Sequence, residues 1–184
     1  MPKEEEWRKF FDPELALRLM GLNFTVKDVA DFGCGYGTFT IPAAKIISGK
    51  IYAFDIEPEM IEAVKRKAKT QNLRNVQAVV RDFVSEGSGL MDGSVDYVFL
   101  FNILHLENPQ KLLSEAYRIL GRGGKVGIIH WNYDSTTPRG PPMAIRPRPE
   151  QIRHWAESVG FVLEQELDLK PYHYGLVLKK QGNS

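Results

Sequence analysis

Short apolar runs alternate with stretches whose apolar residues recur every three or four positions, from about Val26 to Ile129. Val29-Ala30-Asp31-Phe32 is an apolar run closed by Gly33, the pattern of a buried strand entering a turn. Residues 50–55 predict a second strand. Pro58 then falls at a first helical position, with Ile61, Val64 and Ala68 at helical spacing behind it. Residues 76–80 predict a third strand. Asp92-Gly93 is a turn signal, and residues 95–101 form a nearly continuous apolar strand of the kind covered on both faces. Asn108 reads as an N-cap with Pro109 after it; Leu112, Leu113, Ala116, Ile119 and Leu120 make the buried face, and Gly121 is the expected stop. Residues 125–129 predict a fifth strand.

This strand–helix rhythm predicts an α/β fold: a doubly wound, mostly parallel seven-stranded sheet with helices on both faces. The last two strands break the rhythm. A helix over residues 149–159, closed by Gly160, precedes apolar runs at 161–167 and 172–179. Asp168-Leu169-Lys170-Pro171 is too short for a crossover helix, so these runs must pair as a C-terminal antiparallel hairpin. The Pro- and Arg-rich stretch 136–149 reads as an ordered surface loop. A single domain over residues 1–184 is expected: an N-terminal helical lid or packing segment (1–24), a ligand-binding core (25–131), and the loop, helix and hairpin (132–184).

Composition narrows the function. Lys plus Arg total 24 against 23 for Asp plus Glu, a net charge of +1, without the basic excess of a general nucleic-acid coat or a membrane-surface protein. No stable nucleic-acid or membrane partner is expected. One cysteine, Cys34, excludes an intramolecular disulfide framework and a cysteine-built metal site, and the 4 histidines lack metal-ligand spacing. The acidic start Pro2-Lys3-Glu4-Glu5-Glu6 has no apolar stretch behind it, and no run approaches the ~18 apolar residues of a membrane span. A soluble, cytoplasmic protein is the expectation.

The most informative segment is Asp31-Phe32-Gly33-Cys34-Gly35-Tyr36-Gly37-Thr38. Glycines at alternate positions straight after a strand let the backbone pass close against a ligand. The dinucleotide fingerprint would need another glycine where Thr38 stands, and the Lys-Ser or Lys-Thr pair of a phosphate loop is missing. Asp31 would repel a pyrophosphate and suits a cationic ligand. Asp55 ends the second strand about twenty residues past the glycines, where a carboxylate can accept hydrogen bonds from two ribose hydroxyls. Asp82-Phe83 follows the third strand; the pair either holds an adenine by its amine and its face or forms a surface turn and a core ring.

Residues 29–40, 54–60, Arg81-Asp82-Phe83 and 96–106 resemble the ordered motifs of the seven-strand, Rossmann-like S-adenosylmethionine-dependent methyltransferases, of the broad group around the ubiquinone/menaquinone-biosynthesis C-methyltransferases. The resemblance covers about residues 25–131, and the tail hairpin matches that class's reversed final strand. It implies S-adenosyl-L-methionine as cofactor and S-adenosyl-L-homocysteine as product. It places Asp31 toward the methionine amino end, Gly33, Cys34, Gly35 and Gly37 along the cofactor, and Asp55 on the ribose. Ile56 would then pack on adenine, Asp82 and Phe83 would contact that base, and Asn102 would join the cofactor-binding residues.

Methyl transfer from a sulfonium is an in-line displacement, so the protein mainly positions and desolvates the acceptor. A base is needed only where the acceptor keeps its proton. Phe101-Asn102-Ile103-Leu104-His105-Leu106 leaves the fourth strand at the edge expected to face the acceptor. His105 is the candidate base; otherwise it packs in the loop before Pro109. His130-Trp131 ends the fifth strand and either contacts the acceptor or closes the core, and with Asn102 and His105 it forms the candidate acceptor-side set. Tyr172 and Tyr174 should share one face of the last strand and His173 the other. Trp7, Phe10, Phe11 and Leu15 form either a lid or a packed amphipathic helix. Arg139, Arg146 and Arg148 are either solvated or clamp an anionic acceptor. The Asn/Asp-Pro-Pro-aromatic motif of amide and adenine N-methylation is absent after strand four. Cytosine C5 methylation needs a cysteine nucleophile, and Cys34 is committed to the glycine loop; arsenite methylation needs several thiols, which this chain lacks. A compact small-molecule acceptor is the leading expectation; a protein or RNA acceptor, or a non-catalytic cofactor-binding module, are the alternatives.

Overall fold

The computed structural model describes residue 10 and residues 12–181. Trp7 and Phe11 of the expected lid lie outside the described residues; Phe10 is half-buried and Leu15 exposed. Two compact units divide between Gly89 and Leu90.

In the first unit, α1 (Pro13–Leu19) starts where the Asp12 carboxylate accepts the Leu15 N–H at 3.0 Å. The strands are β1 (Val29–Phe32), β2 (Ile51–Asp55) and β3 (Val76–Val80), in the order β3-β2-β1. They are parallel, with Phe32 opposite Phe54 and Asp55 opposite Val80. All of β1 is buried, as its apolar run requires, whereas Val79 and Val80 stay exposed on β3. Helix α2 (Thr40–Ile46) follows β1, and α3 (Pro58–Thr70) follows β2. Met60, Ile61 and Val64 of α3 are buried, each contributing roughly 1.5–3 kcal/mol of apolar burial.

The second unit holds β4 (Val95–Phe101), α4 (Pro109–Ile119), β5 (Leu120–Trp131), α5 (Pro149–Val159), β6 (Phe161–Leu169) and β7 (His173–Lys180). Its strand order is β4-β5-β7-β6, bringing the sheet to seven strands. Strands β4 and β5 are parallel; β7 runs antiparallel to both β5 and β6. The hairpin link is shorter than its apolar pattern implies, because β6 continues to Leu169 and β7 starts at His173.

The junction of α4 and β5 departs from the sequence expectation. Gly121 does not stop the helix: α4 ends at Ile119, Leu120 is already extended at φ −70° and ψ 133°, and β5 begins five residues ahead of Lys125. Leu120 pairs with Val95 before the register shifts so that Lys125 faces Tyr97. Glycines absorb that shift, since a Cβ on Gly124 would meet the Gly121 carbonyl oxygen at 3.0 Å and that of Asp96 at 3.1 Å. Asn108 holds the N-cap position of α4, but at φ +57° and with no side-chain hydrogen bond to the helix. No helix among the described residues is long and apolar enough to cross a membrane.

Candidate functional site

The turn after β1 is built almost wholly from backbone. Gly33, Gly35 and Gly37 have φ of +72°, +52° and +76°, a region that costs a residue with a Cβ roughly 1–2 kcal/mol. Gly37 is also sterically closed, for a Cβ there would lie 3.0 Å from the Val64 side chain. The amides of Gly33 and Cys34 both donate to the Phe54 carbonyl, at 2.9 and 3.0 Å, anchoring the turn to β2. Lys67 of α3 anchors it a second time by donating to the Tyr36 carbonyl at 2.6 Å. The Cys34 thiol points elsewhere, packing with Ile41, Ala53, Ile61 and Val64, and burial pushes its pKa far up. Its thiolate is therefore out of reach as a nucleophile.

Two carboxylates flank this turn. Asp55 is 7% exposed; its Oδ2 accepts the Gly35 N–H at 2.8 Å and its Oδ1 accepts the Glu57 N–H at 3.0 Å. Asp31 is 3% exposed and accepts the Thr40 hydroxyl at 2.6 Å. Burial raises the Asp31 pKa from 3.8 to about 7; the Thr40 hydrogen bond opposes the rise and the nearby Asp55 charge adds to it. The sequence does not mark Thr40 as this partner, because a threonine opening a helix carries no sign of what it will bond. Ile56, the next residue after Asp55, is 60% exposed.

Asp82 and Phe83 separate in the fold. The Asp82 carboxylate accepts the Val84 and Ser85 amides, at 3.2 and 3.1 Å, in a local turn. The Phe83 ring is buried and stacks on Phe32 with centroids 5.2 Å apart.

In the second unit, the ends of β4 and β5 gather Asn102, His105 and His130. Asn102 sits at φ +56° and its N–H donates to the Ile129 carbonyl at 2.7 Å, which places it beside His130. His130 is fully buried, and the half-buried His105 ring meets it edge to face at 5.5 Å. Asn102 Oδ1, His105 Nδ1 and both His130 ring nitrogens are buried with no hydrogen-bond partner among the described residues. Burial lowers the His130 pKa to about 3, helped by His105 and Arg146, and burial also lowers that of His105. Both imidazoles are accordingly neutral near pH 7. On β7, His173 packs against Trp131 at 4.2 Å, while the Tyr174 hydroxyl donates to the Pro147 carbonyl at 2.9 Å. No group of three or more His, Cys, Asp or Glu among the described residues is placed to hold a metal.

The arginine loop differs from both sequence expectations at Arg146. This residue is 7% exposed, and its guanidinium donates to the carbonyls of Asn132, Asp134, Arg139 and Pro141 and to the Thr137 hydroxyl. A fork with five N–H donors engaged in this way is neither solvated nor open to an anion. Arg148 lies over the Tyr133 ring at 3.7 Å, so the arginines do not converge on a common ligand.

A family model described as "Methyltransferase domain" matches residues 29–124. Among curated proteins, the chain is 31% identical over 125 residues to the aklanonic acid methyltransferase DauC of Streptomyces sp. (strain C5), covering 65% of this chain and 56% of that protein. It is 30% identical over 132 residues to the demethylmenaquinone methyltransferase of Lactobacillus johnsonii, covering 67% and 49%. It is 25% identical over 175 residues to the ribosomal protein L11 methyltransferase of Anoxybacillus flavithermus, covering 92% and 49%. The chain thus spans about half the length of these curated relatives. A crystal structure of a SAM-dependent methyltransferase from Aquifex aeolicus superposes with a TM-score of 0.83 at 26% identity, over 93% of this chain and 90% of that one. With the domain match extending over just over half of its residues, this chain belongs to the methyltransferase-domain family and carries the Rossmann-like fold of its S-adenosylmethionine-dependent members.

Proposed function

We propose that the chain is an S-adenosylmethionine-dependent methyltransferase acting on a small-molecule acceptor. The observation that carries this reading is the coupling of the glycine turn to the carboxylate ending β2, Gly35 N–H to Asp55 Oδ2 at 2.8 Å. The residues fit the cofactor: three left-handed glycines leave the turn without side chains, a buried acid lies on either side, and an exposed apolar side chain, Ile56, follows. A carboxylate offers roughly four acceptor positions, so Asp55 keeps about two for ribose hydroxyls after taking its two backbone amides. Asp31 faces the cationic methionine end, and Gly33, Cys34, Gly35 and Gly37 contribute backbone. Asp82, in the turn after β3, completes the set within this unit. S-adenosylmethionine, when bound, supplies an electrophilic methyl group on a sulfonium.

What remains for the protein is to orient the acceptor, exclude water and accept a proton where the acceptor carries one. His105 does the last. Its Nδ1 is buried, which leaves Nε2 for the residue's exposed side, and a neutral imidazole accepts protons there. The names of the aklanonic acid and demethylmenaquinone relatives support a small-molecule acceptor. The relative named for a ribosomal protein, matched over 92% of this chain, favours a protein acceptor as the second reading.

Labelled-methyl transfer into a cell extract, separated into small molecules, protein and RNA, tests the proposal. Label in the small-molecule fraction is expected. Label in protein would install the second reading, and no label in any fraction, despite donor binding by calorimetry, would point to a non-catalytic module.

A further inference from the structure

At the ends of β4 and β5, four buried polar atoms have no hydrogen-bond partner among the described residues: Asn102 Oδ1, His105 Nδ1, and Nδ1 and Nε2 of His130. Burying such atoms unpaired costs on the order of 1–3 kcal/mol each, so a cluster of four calls for an arrangement that pairs them. The chemistry of the set allows one directly. A neutral imidazole carries one N–H donor and one acceptor nitrogen, and an amide oxygen only accepts.

We infer that His130 is a positioning residue: one of its nitrogens donates to Asn102 Oδ1, and the other accepts the Nδ1–H of His105. This chain of two hydrogen bonds satisfies all four atoms and rests on the reading of His105 as the base. The rings already meet edge to face with centroids 5.5 Å apart, near the separation at which two imidazoles share a hydrogen bond, and Asn102 is tied by its own N–H to the residue before His130.

The direction of the chain follows from its far end. An amide oxygen cannot give up a proton, so His130 must present its N–H to Asn102 and its lone pair to His105. His105 is then held as the Nδ1–H tautomer, with the Nε2 lone pair free for an acceptor's proton. Full burial keeps His130 a poor proton acceptor, its pKa lowered to about 3, so the proton taken up by His105 stays there. The Tyr174 ring packs on His130 at 6.2 Å, but its hydroxyl is already engaged with Pro147.

Nitrogen-15 NMR of ring-labelled histidines in the intact protein, with neither cofactor nor acceptor added, reads the tautomer directly. The wild-type protein is expected to show His105 Nε2 as an unprotonated nitrogen and Nδ1 as protonated. His130→Phe should lose that signature, with His105 reverting to Nε2–H, and His130→Gln should restore it because its amide oxygen accepts the same bond. A wild-type His105 in the Nε2–H form, or the same tautomer in wild type and His130→Phe, would overturn the inference. Should His130→Phe not fold, Asn102→Ala serves, its expected result being a reversed His130 tautomer. Activity retained in His105→Ala would instead remove the base reading while leaving the tautomer result standing.

Discussion

Asp55 and Gly35, twenty positions apart, are joined by a 2.8 Å hydrogen bond from the Gly35 amide to the Asp55 carboxylate. The bond makes one side chain serve two ends: it holds the glycine turn in shape, and it leaves its remaining acceptor positions at that turn. Asp55→Ala should therefore do two things at once. Affinity for S-adenosylmethionine should fall tenfold or more by calorimetry, and stability should drop by about 1–3 kcal/mol in denaturant, the cost of orphaning buried amides. Unchanged affinity would remove the ribose assignment.

Asp31 links the site to pH. Its pKa is raised to about 7 in the folded chain against 3.8 when unfolded, so between these values the native state binds the proton more tightly. Its stabilising contribution is full below pH 4 and is lost as pH rises through 7, on the order of 4 kcal/mol in all. His130 and His173, held near 3, act in the opposite sense below pH 6.5. The quantity to measure is thus the difference between wild type and Asp31→Asn in denaturant melts from pH 4 to 8. The variant should gain relative stability as pH rises. If a cationic methionine group lies against Asp31, cofactor binding between pH 4.5 and 7 should also release protons, seen as a buffer-dependent calorimetric heat.

His105 should set the acidic limb of the rate profile. Burial lowers its pKa below the ordinary 6.5, so the rate should rise with pH and reach its plateau before neutrality. His105→Ala should abolish that limb and lower kcat by roughly 10²–10⁴-fold. A limb that persists in the variant belongs to another group.

Arg146 staples the segment between β5 and α5 through carbonyls from Asn132 to Pro141. Arg146→Leu should destabilise the protein by about 3 kcal/mol and accelerate amide exchange across residues 133–145. Arg146→Lys should rescue little, since an ammonium cannot reproduce a planar fork.

Much of this architecture was written in local sequence. Alternate glycines after a short apolar run dictate a left-handed turn, because only glycine enters that region of φ freely. A handful of residues between the last two apolar runs leaves no length for a crossover, so their antiparallel pairing follows from chain geometry alone. The acid closing β2 sits at a spacing that one strand, one helix and one strand impose. The start of β5 is not legible locally, because Gly121 after an apolar helical face reads as a stop, whereas Val95 and Gly124 accommodate a shifted register that only the neighbouring strand can define.

Other relationships had no local cause. Thr40 on Asp31, Arg146 among its carbonyls, and His105 against His130 across twenty-five positions are contacts between residues that share no turn or period. They exist because sheet register and burial bring distant backbone segments together, and because a polar group shut away from water takes whatever partner the packing supplies. Local conformation is set by a residue and its neighbours and can be read from their order. Which polar atoms end up facing one another, and hence how protons are held in this site, is decided only once the whole chain has excluded solvent.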